Sequence, residues 1–317
     1  MASVTLAESA KLAQDELVAG VIENVITVNR FFDVLPFDGI EGNALAYNRE
    51  NALGEVGVAG VGTLVSAAVN PLTSATNAKA AATFTQVTSM LTTILGDAEV
   101  NGLIQATRSG DGNDQKATQI ASKAKHCGRL YQHMLINGTG ASNQFSGLIQ
   151  LCVAGQKVAT GTDGGPLSFA FLDELLDLVI DKDGQVDYIL MHARTLRSYN
   201  ALLRGLGGAS INEVVTLPSG VQVPGYRQVP IFRNDYIPIN QTKGSGTAQT
   251  TIFAGTIDDG SRSHGIAGLT ALKQSGIAVV DVGEAEDKDE SITRVKWYSG
   301  LALFSEKGLA CADGITN

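Results

Sequence analysis

The feature that most constrains the fold of this chain is a long stretch with almost no charge, residues 51–96. Its only charged side chains are Glu55 and Lys79, and glycine is frequent in its first part. Glycine supplies tight turns and close backbone contact, and it weakens regular helices. The stretch is therefore predicted to be extended and turn-rich.

Two strands are predicted to border this stretch. Leu45 and Tyr47 alternate with polar neighbours before it, and Phe84 and Gln86 do so less regularly near its end. This pattern is typical of a hairpin that runs out and back. A two-stranded arm is marginally stable in water and has no core of its own, so we expect it to lie on something else.

Composition is that of a globular protein, and the length fits about two domains or one elaborate domain. The 317 residues are 44% hydrophobic, and charged residues make up only 17%. The net charge is −9, and no block of Lys or Arg stands out. Direct recognition of DNA is disfavoured, because phosphate binding needs basic patches. An acidic surface remains compatible with enclosing DNA.

The cysteines and the apolar runs indicate the compartment. Cys127, Cys152 and Cys311 lie far apart without a C-x-x-C motif, so buried free thiols and folding in a reducing compartment are expected. Met1 to Leu12 contain no basic region leading into an apolar core, so no signal peptide is predicted. The most apolar run, 56–69, is shorter than a membrane helix. We expect a soluble protein made in a cytoplasm.

No motif for catalysis, cofactor binding or metal binding is found. The sequence has neither a P-loop nor a G-x-S-x-G elbow. His126 and His133 would stand about 10 Å apart on a helix, too far to share one ion. The best residues for an enzyme are His192 and Asp187, which border a predicted strand. The chain is predicted not to be an enzyme and to need no cofactor.

The remaining periodicity predicts an α+β fold. An N-terminal helix from Thr5 to about Asn29 precedes the hairpin, and a long helix capped by Asn113 follows it. Further helices are predicted near 168–179 and 194–203, with strands at 188–191, 214–217, 221–223, 251–254 and 277–282 and a final two-faced strand around 295–304.

The order of these elements resembles the Hong Kong 97-type major capsid protein of tailed phages. Three local sequences support the resemblance: Phe145-Ser-Gly-Leu148, the segment from Gly225 to Pro238, and the ending from Arg294 to Ile315. The resemblance covers nearly the whole chain in order.

The resemblance implies a division into named parts. These are an N-terminal arm (1–42), an extended hairpin or E-loop (43–88), a P-domain (89–165) with a spine helix (113–137), an α/β A-domain (166–279) and a returning P-domain strand (280–317).

It also implies a structural function without enzymatic activity. The chain would assemble with itself into the pentamers and hexamers of an icosahedral phage head that encloses double-stranded DNA, located in the virion and assembled in the host cytoplasm. A separate scaffolding protein, a portal and a decoration protein would be its partners, with no membrane. An encapsulin, a cellular shell of the same fold, is the alternative, and an enzyme with an unfamiliar site is the distant one.

The expected contacts between subunits come from two regions. In the hairpin they are Leu53, Val56, Val58, Leu64 and Lys79. In the N-terminal arm they are Leu17, Phe31 and Phe32.

Overall fold

The computed structural model describes residues 30–316 except 77, 109–113, 159, 182–183, 206–213 and 275. The predicted N-terminal helix, its Leu17 and the predicted cap Asn113 lie outside these residues. The helices of the described part are α1 (Gly102–Arg108), α2 (Gln115–Asn137), α3 (Leu148–Leu151), α4 (Phe169–Ile180) and α5 (Ala193–Gly205).

Strands supply most of the remaining regular structure. Those of the described part are β1 (Phe37–Ile40), β2 (Ala44–Ala52), β3 (Thr83–Met90), β4 (Thr92–Asn101), β5 (Lys157–Val158), β6 (Tyr188–Met191), β7 (Val214–Thr216), β8 (Gln222–Tyr226), β9 (Val229–Arg233), β10 (Gln241–Lys243), β11 (Gly246–Gly255), β12 (Ile266–Ala271), β13 (Ala278–Glu284), β14 (Glu290–Leu303) and β15 (Leu309–Ile315).

The chain divides into two compact units. The smaller contains Leu95–Gly128 and Ile277–Lys296, and the larger contains Asn29–Ile94, Arg129–Gly276 and Trp297–Asn317. Because α2, β4 and β14 cross these boundaries, each contributes to both units.

An eight-stranded sheet forms the main body of the larger unit. Its strand order is β5-β15-β11-β6-β9-β8-β7, and β10 pairs with β11. The pairs β6–β9 and β5–β15 are parallel, and the other pairs are antiparallel. The sheet includes β5 and β15, which lie outside residues 166–279.

Helix α4 covers this sheet because its apolar residues follow the helical period. Leu172, Leu175, Leu176 and Val179 are all buried in one cluster with strand residues such as Ile189. Ser168 caps the helix, since its hydroxyl accepts the backbone N–H of Phe171 at 3.3 Å. The helix predicted at 168–179 is confirmed.

The long helix α2 is also confirmed, and Asp114 caps its N-terminus. The Asp114 carboxylate accepts the backbone N–H groups of Lys116 at 2.9 Å and Ala117 at 3.3 Å. These contacts lower the pKa of Asp114, together with a hydrogen bond from Gln105 that is the largest cause. Asp is among the residues that most often cap helices.

An aromatic cluster at the start of the described chain corrects one prediction. Phe31 is fully buried, and its ring lies 4.8 Å from that of Tyr188 and 5.7 Å from that of Phe232. It has no surface left for a neighbouring subunit. Phe32 lies nearby against Phe37 and is half-buried. An apolar pair next to an amphipathic segment does not show whether its partners lie in the same chain.

The smaller unit has little interior. Its sheet part joins β14 to β13 and β4, and its buried side chains are small or few, among them Ala98, Val100 and Val295. Polar contacts connect its segments, because Arg294 forms a two-point ion pair with Asp97, with both distances 2.8 Å.

Candidate functional site

The predicted hairpin is present as a two-stranded antiparallel sheet. In the register of β2 and β3, Leu45 lies opposite Ser89, and Tyr47 lies opposite Val87. Within the described residues, these two strands form a sheet of their own.

The base of the hairpin is fixed by polar anchors to the last residue of β14 and to the residues that follow it. The Tyr47 hydroxyl donates to the Leu303 carbonyl at 2.7 Å, and Arg49 Nε donates to the Phe304 carbonyl at 2.9 Å. Arg49 also pairs with Glu306 at 2.7 Å. The strand pattern alone predicted the hairpin, but nothing local in the sequence identified Arg49 as its anchor.

The tip, which we define as residues 53–82, has a polar frame in place of an apolar core. The Asn70 side chain donates to Glu55 at 2.9 Å and accepts the backbone N–H of Leu72 at 2.9 Å. A single β-bridge joins Val58 to Val69. Among the described residues of the tip, only Ala68 and Asn70 are buried.

The large apolar side chains of the tip point into solvent. The four predicted as contact residues are highly exposed: Leu53 75%, Val56 73%, Val58 72% and Leu64 73%. Lys79 is exposed as well. Exposed apolar residues that the prediction did not name are Val61, Val65, Val69 and Leu72. Most of them belong to the apolar run 56–69, which was the available signal.

This arrangement is typical of an interaction surface. Monomeric soluble proteins rarely expose contiguous apolar patches of this kind, and larger ones mark binding sites for other molecules. The tip holds its shape through Glu55 and Asn70, and its valines and leucines remain available for a partner.

The residues proposed for an enzyme do not come together. Asp187 precedes β6 and His192 follows it, so they stand about 16 Å apart along the strand. Asp187 accepts the backbone N–H of Ile257 at 2.8 Å, and His192 Nδ1 accepts that of Arg194 at 3.0 Å. Both side chains therefore act as hydrogen-bond acceptors for backbone N–H groups. Burial raises the pKa of Asp187.

Neither a metal centre nor a membrane helix is found over the described part of the chain. No group of three or more His, Cys, Asp or Glu side chains there is placed to hold a metal ion. In the same residues, no helix combines the length and apolar character that crossing a membrane requires. Cys127, Cys152 and Cys311 are buried free thiols, as predicted.

Several solved structures share the fold along nearly the whole chain. The holo-SrpI encapsulin complex from Synechococcus elongatus PCC 7942 has 17% sequence identity and a TM-score of 0.72, over 99% of this chain and 97% of that one. The capsid of Myoviridae phage XM1 has 11% identity and a TM-score of 0.65, over 99% and 100%. The capsid of the native GTA particle has 13% identity and a TM-score of 0.62, over 99% of both chains.

These similarities show that the mixed helix and strand fold matches that of phage capsid structures. No curated protein matches this sequence. The family model described as SU10 major capsid protein matches residues 48–221, which include most of the hairpin, α2 and the first part of the lobe. Because this match covers more than half of the 317 residues, the chain belongs to the SU10 major capsid protein family.

Proposed function

We propose that copies of this chain assemble into pentamers and hexamers of an icosahedral phage head that encloses double-stranded DNA. The observation that carries the proposal is the tip, where large apolar side chains surround a polar frame and lie open to solvent. Each such side chain contributes roughly 1.5–3 kcal/mol when a neighbouring subunit covers it fully. Obligate contacts of this kind bury upwards of about 2,000 Å² in total.

The proposed parts follow the Hong Kong 97-type plan. The E-loop (43–88) would lie over the adjacent subunit, the A-domain lobe (166–279) would crowd the capsomer axis, and the P-domain would carry the spine helix. Leu53, Val56, Val58, Leu64 and Lys79 are the proposed contact residues. From the N-terminal arm, Leu17 and the half-buried Phe32 remain proposed contacts.

The proposed partners follow from the same function. A separate scaffolding protein, a portal and a decoration protein would act with the shell, which would form in the host cytoplasm and become part of the virion. The net charge of −9 supports enclosure of DNA without sequence-specific binding, because a strongly basic inner surface would hold its contents tightly.

Deleting residues 54–77 tests the proposal. We expect a folded, soluble subunit with an unchanged circular dichroism spectrum that forms no closed shell, because the apolar contacts are gone and the sheet of the lobe is untouched. Electron microscopy of the purified protein is the measurement. Normal particles from the deleted chain would count decisively against the proposal.

Point substitutions make a matched comparison. Val56→Ser, Val58→Ser and Leu64→Ser combined should strongly reduce particle formation. The control is Ile239→Ser, since Ile239 is an apolar side chain that is 41% exposed outside the hairpin. If both variants lost particles equally, the tip would have no special part in assembly.

One observation favours a second candidate, an encapsulin-type cellular compartment. The encapsulin structure has a TM-score of 0.72, higher than the 0.65 of the phage XM1 capsid and the 0.62 of the native GTA capsid. The contents of purified particles separate the two functions. Nuclease-protected double-stranded DNA supports the phage head, whereas particles filled with a cargo protein and free of DNA would favour the compartment.

A further inference from the structure

A second open surface lies on β13, far from the tip in sequence. Among the described residues, β13 pairs only with β14, so its other edge has no neighbouring strand. Val279, Val280 and Val282 are 50%, 39% and 51% exposed. An exposed apolar edge of this kind is a ready template for pairing with another chain.

The hairpin presents another open edge. In the described part of the chain, β3 pairs only with β2. Its eight residues, TFTQVTSM, carry no charge, and Phe84 and Met90 are 66% and 62% exposed. A third strand would stabilise this sheet, because two strands alone are marginal.

Charge decides between the ways in which these edges can pair. Two β13 edges paired in parallel would bring Glu284 and the acidic turn 284–290 of both copies together. An antiparallel pair centred on Asp281 would place the two Asp281 carboxylates opposite each other, each already paired with Lys116 of its own chain at 3.3 Å. Like charges on facing strands are destabilising. The uncharged β3 can lie beside β13 without that repulsion. A β3–β3 pair would close at a dimer and would leave β13 uncovered.

We propose that β3 of one copy adds to the open edge of β13 of a second copy and forms a sheet that is continuous across the two subunits. The inference rests on the proposed function, since a contact between two different surfaces links copies into rings and larger assemblies. Backbone hydrogen bonds would join the two strands. The pairing would also cover the exposed valines of β13, together with Phe84 and Met90 of β3.

Backbone hydrogen exchange on the wild-type protein tests this pairing without any substitution. In assembled particles, we expect amides within 83–90 and 278–284 to exchange at least tenfold more slowly than in dissociated subunits. Unchanged exchange of either strand overturns the inference. If particles form and the tip is protected while β13 is not, this inference fails and the proposed function stands. If the protein forms no particles at all, the proposed function fails with it.

Cysteine cross-linking identifies the partner strand. The native thiols are buried, so introduced cysteines on the surface are the ones expected to cross-link. One population of protein carries Val280→Cys and another carries Gln86→Cys. Phe84→Cys and Thr88→Cys, tested in place of Gln86→Cys, allow for a different register of the two strands. We expect disulfide-linked dimers only when the two populations are mixed.

The control mixes Val280→Cys with Ile239→Cys and should give no dimer. Cross-linking within the Gln86→Cys population alone would indicate a β3–β3 pair and overturn the inference. The absence of dimers from every mixture would overturn it too.

Discussion

His192 stabilises the first turn of α5, because its Nδ1 accepts the backbone N–H of Arg194. Burial lowers the pKa of His192, Asp235 opposes that change, and Arg194, Arg233 and Arg197 add to it. The lowered pKa favours the neutral ring, and the contact with Arg194 requires an unprotonated Nδ1. Protonation would place a hydrogen on Nδ1 and remove the cap.

This cap predicts a pH dependence of subunit stability. The pKa is lower in the folded than in the unfolded state, so the stabilisation is fully present above the unfolded value of about 6.5 and is lost as the pH falls below it. We expect the Tm of the unassembled subunit to fall between pH 7 and pH 5. His192→Asn, which keeps an acceptor without titrating, should flatten this decrease.

Comparison of variants isolates the effect. His192→Ala should cost about 1 kcal/mol at pH 7, the usual loss for a helix cap. The raised pKa of Asp187 acts in the opposite direction, because it favours the folded state at low pH. The difference between wild type and His192→Asn is thus the decisive quantity, and identical pH profiles would contradict the assignment.

At the scale of elements, local patterns predicted the hairpin strands, α2, α4, α5 and β6. Each either repeats its apolar residues with the period of its element or forms a short apolar run. The strands β12 and β15 were not predicted. Their sequences, IAGLTA and LACADGI, are rich in small residues and buried on both faces, so they show no alternation. Pairing partners far away in the chain also have no local signal.

The tip frame gives a prediction for a single element. Asn70→Ala removes two hydrogen bonds at a buried position. We expect the free energy of local opening of the tip to fall by about 1–2 kcal/mol. Cleavage within the tip by a protease should become roughly five- to thirty-fold faster, while the Tm of the subunit stays unchanged.

Thr73→Ala is the control for this variant. The Thr73 hydroxyl donates to Glu55 at 3.3 Å and accepts the backbone N–H of Ala75 at 3.3 Å. Both contacts are longer than the 2.9 Å bonds of Asn70 and lie at an exposed position, so cleavage should change less than in Asn70→Ala. If Asn70→Ala lowered the Tm of the whole subunit, the tip would be part of the cooperative core and the separate polar frame would be wrong.

At the scale of the whole molecule, the exposed surface of the tip could be predicted because it follows from the lack of charge in residues 51–96, which the sequence shows directly. The burial of Phe31 could not be predicted in this way, because it depends on which aromatic side chains the fold brings next to Phe31. The tip residues Leu53, Val56, Val58 and Leu64 are exposed because the tip folds around a polar frame and, among its described residues, has no apolar core to bury them.

This surface predicts the thermodynamics of assembly. Apolar burial strengthens on warming and with sulfate, so light scattering from purified subunits should show more assembly at 25 °C than at 4 °C. Sodium chloride should have a smaller effect than sodium sulfate at equal ionic strength. Assembly that is favoured by cold and abolished by moderate sodium chloride would indicate that charge pairs dominate instead.

The position of β15 has a consequence for timing during synthesis. This strand lies between β5 and β11, and all but one of its residues are buried. A ribosome must therefore release residues 309–315 before the lobe can close its sheet. Neighbouring nascent chains on one messenger RNA expose their tips before their own lobes can close. In the proposed assembly we therefore expect nascent chains to associate only after translation has passed this strand.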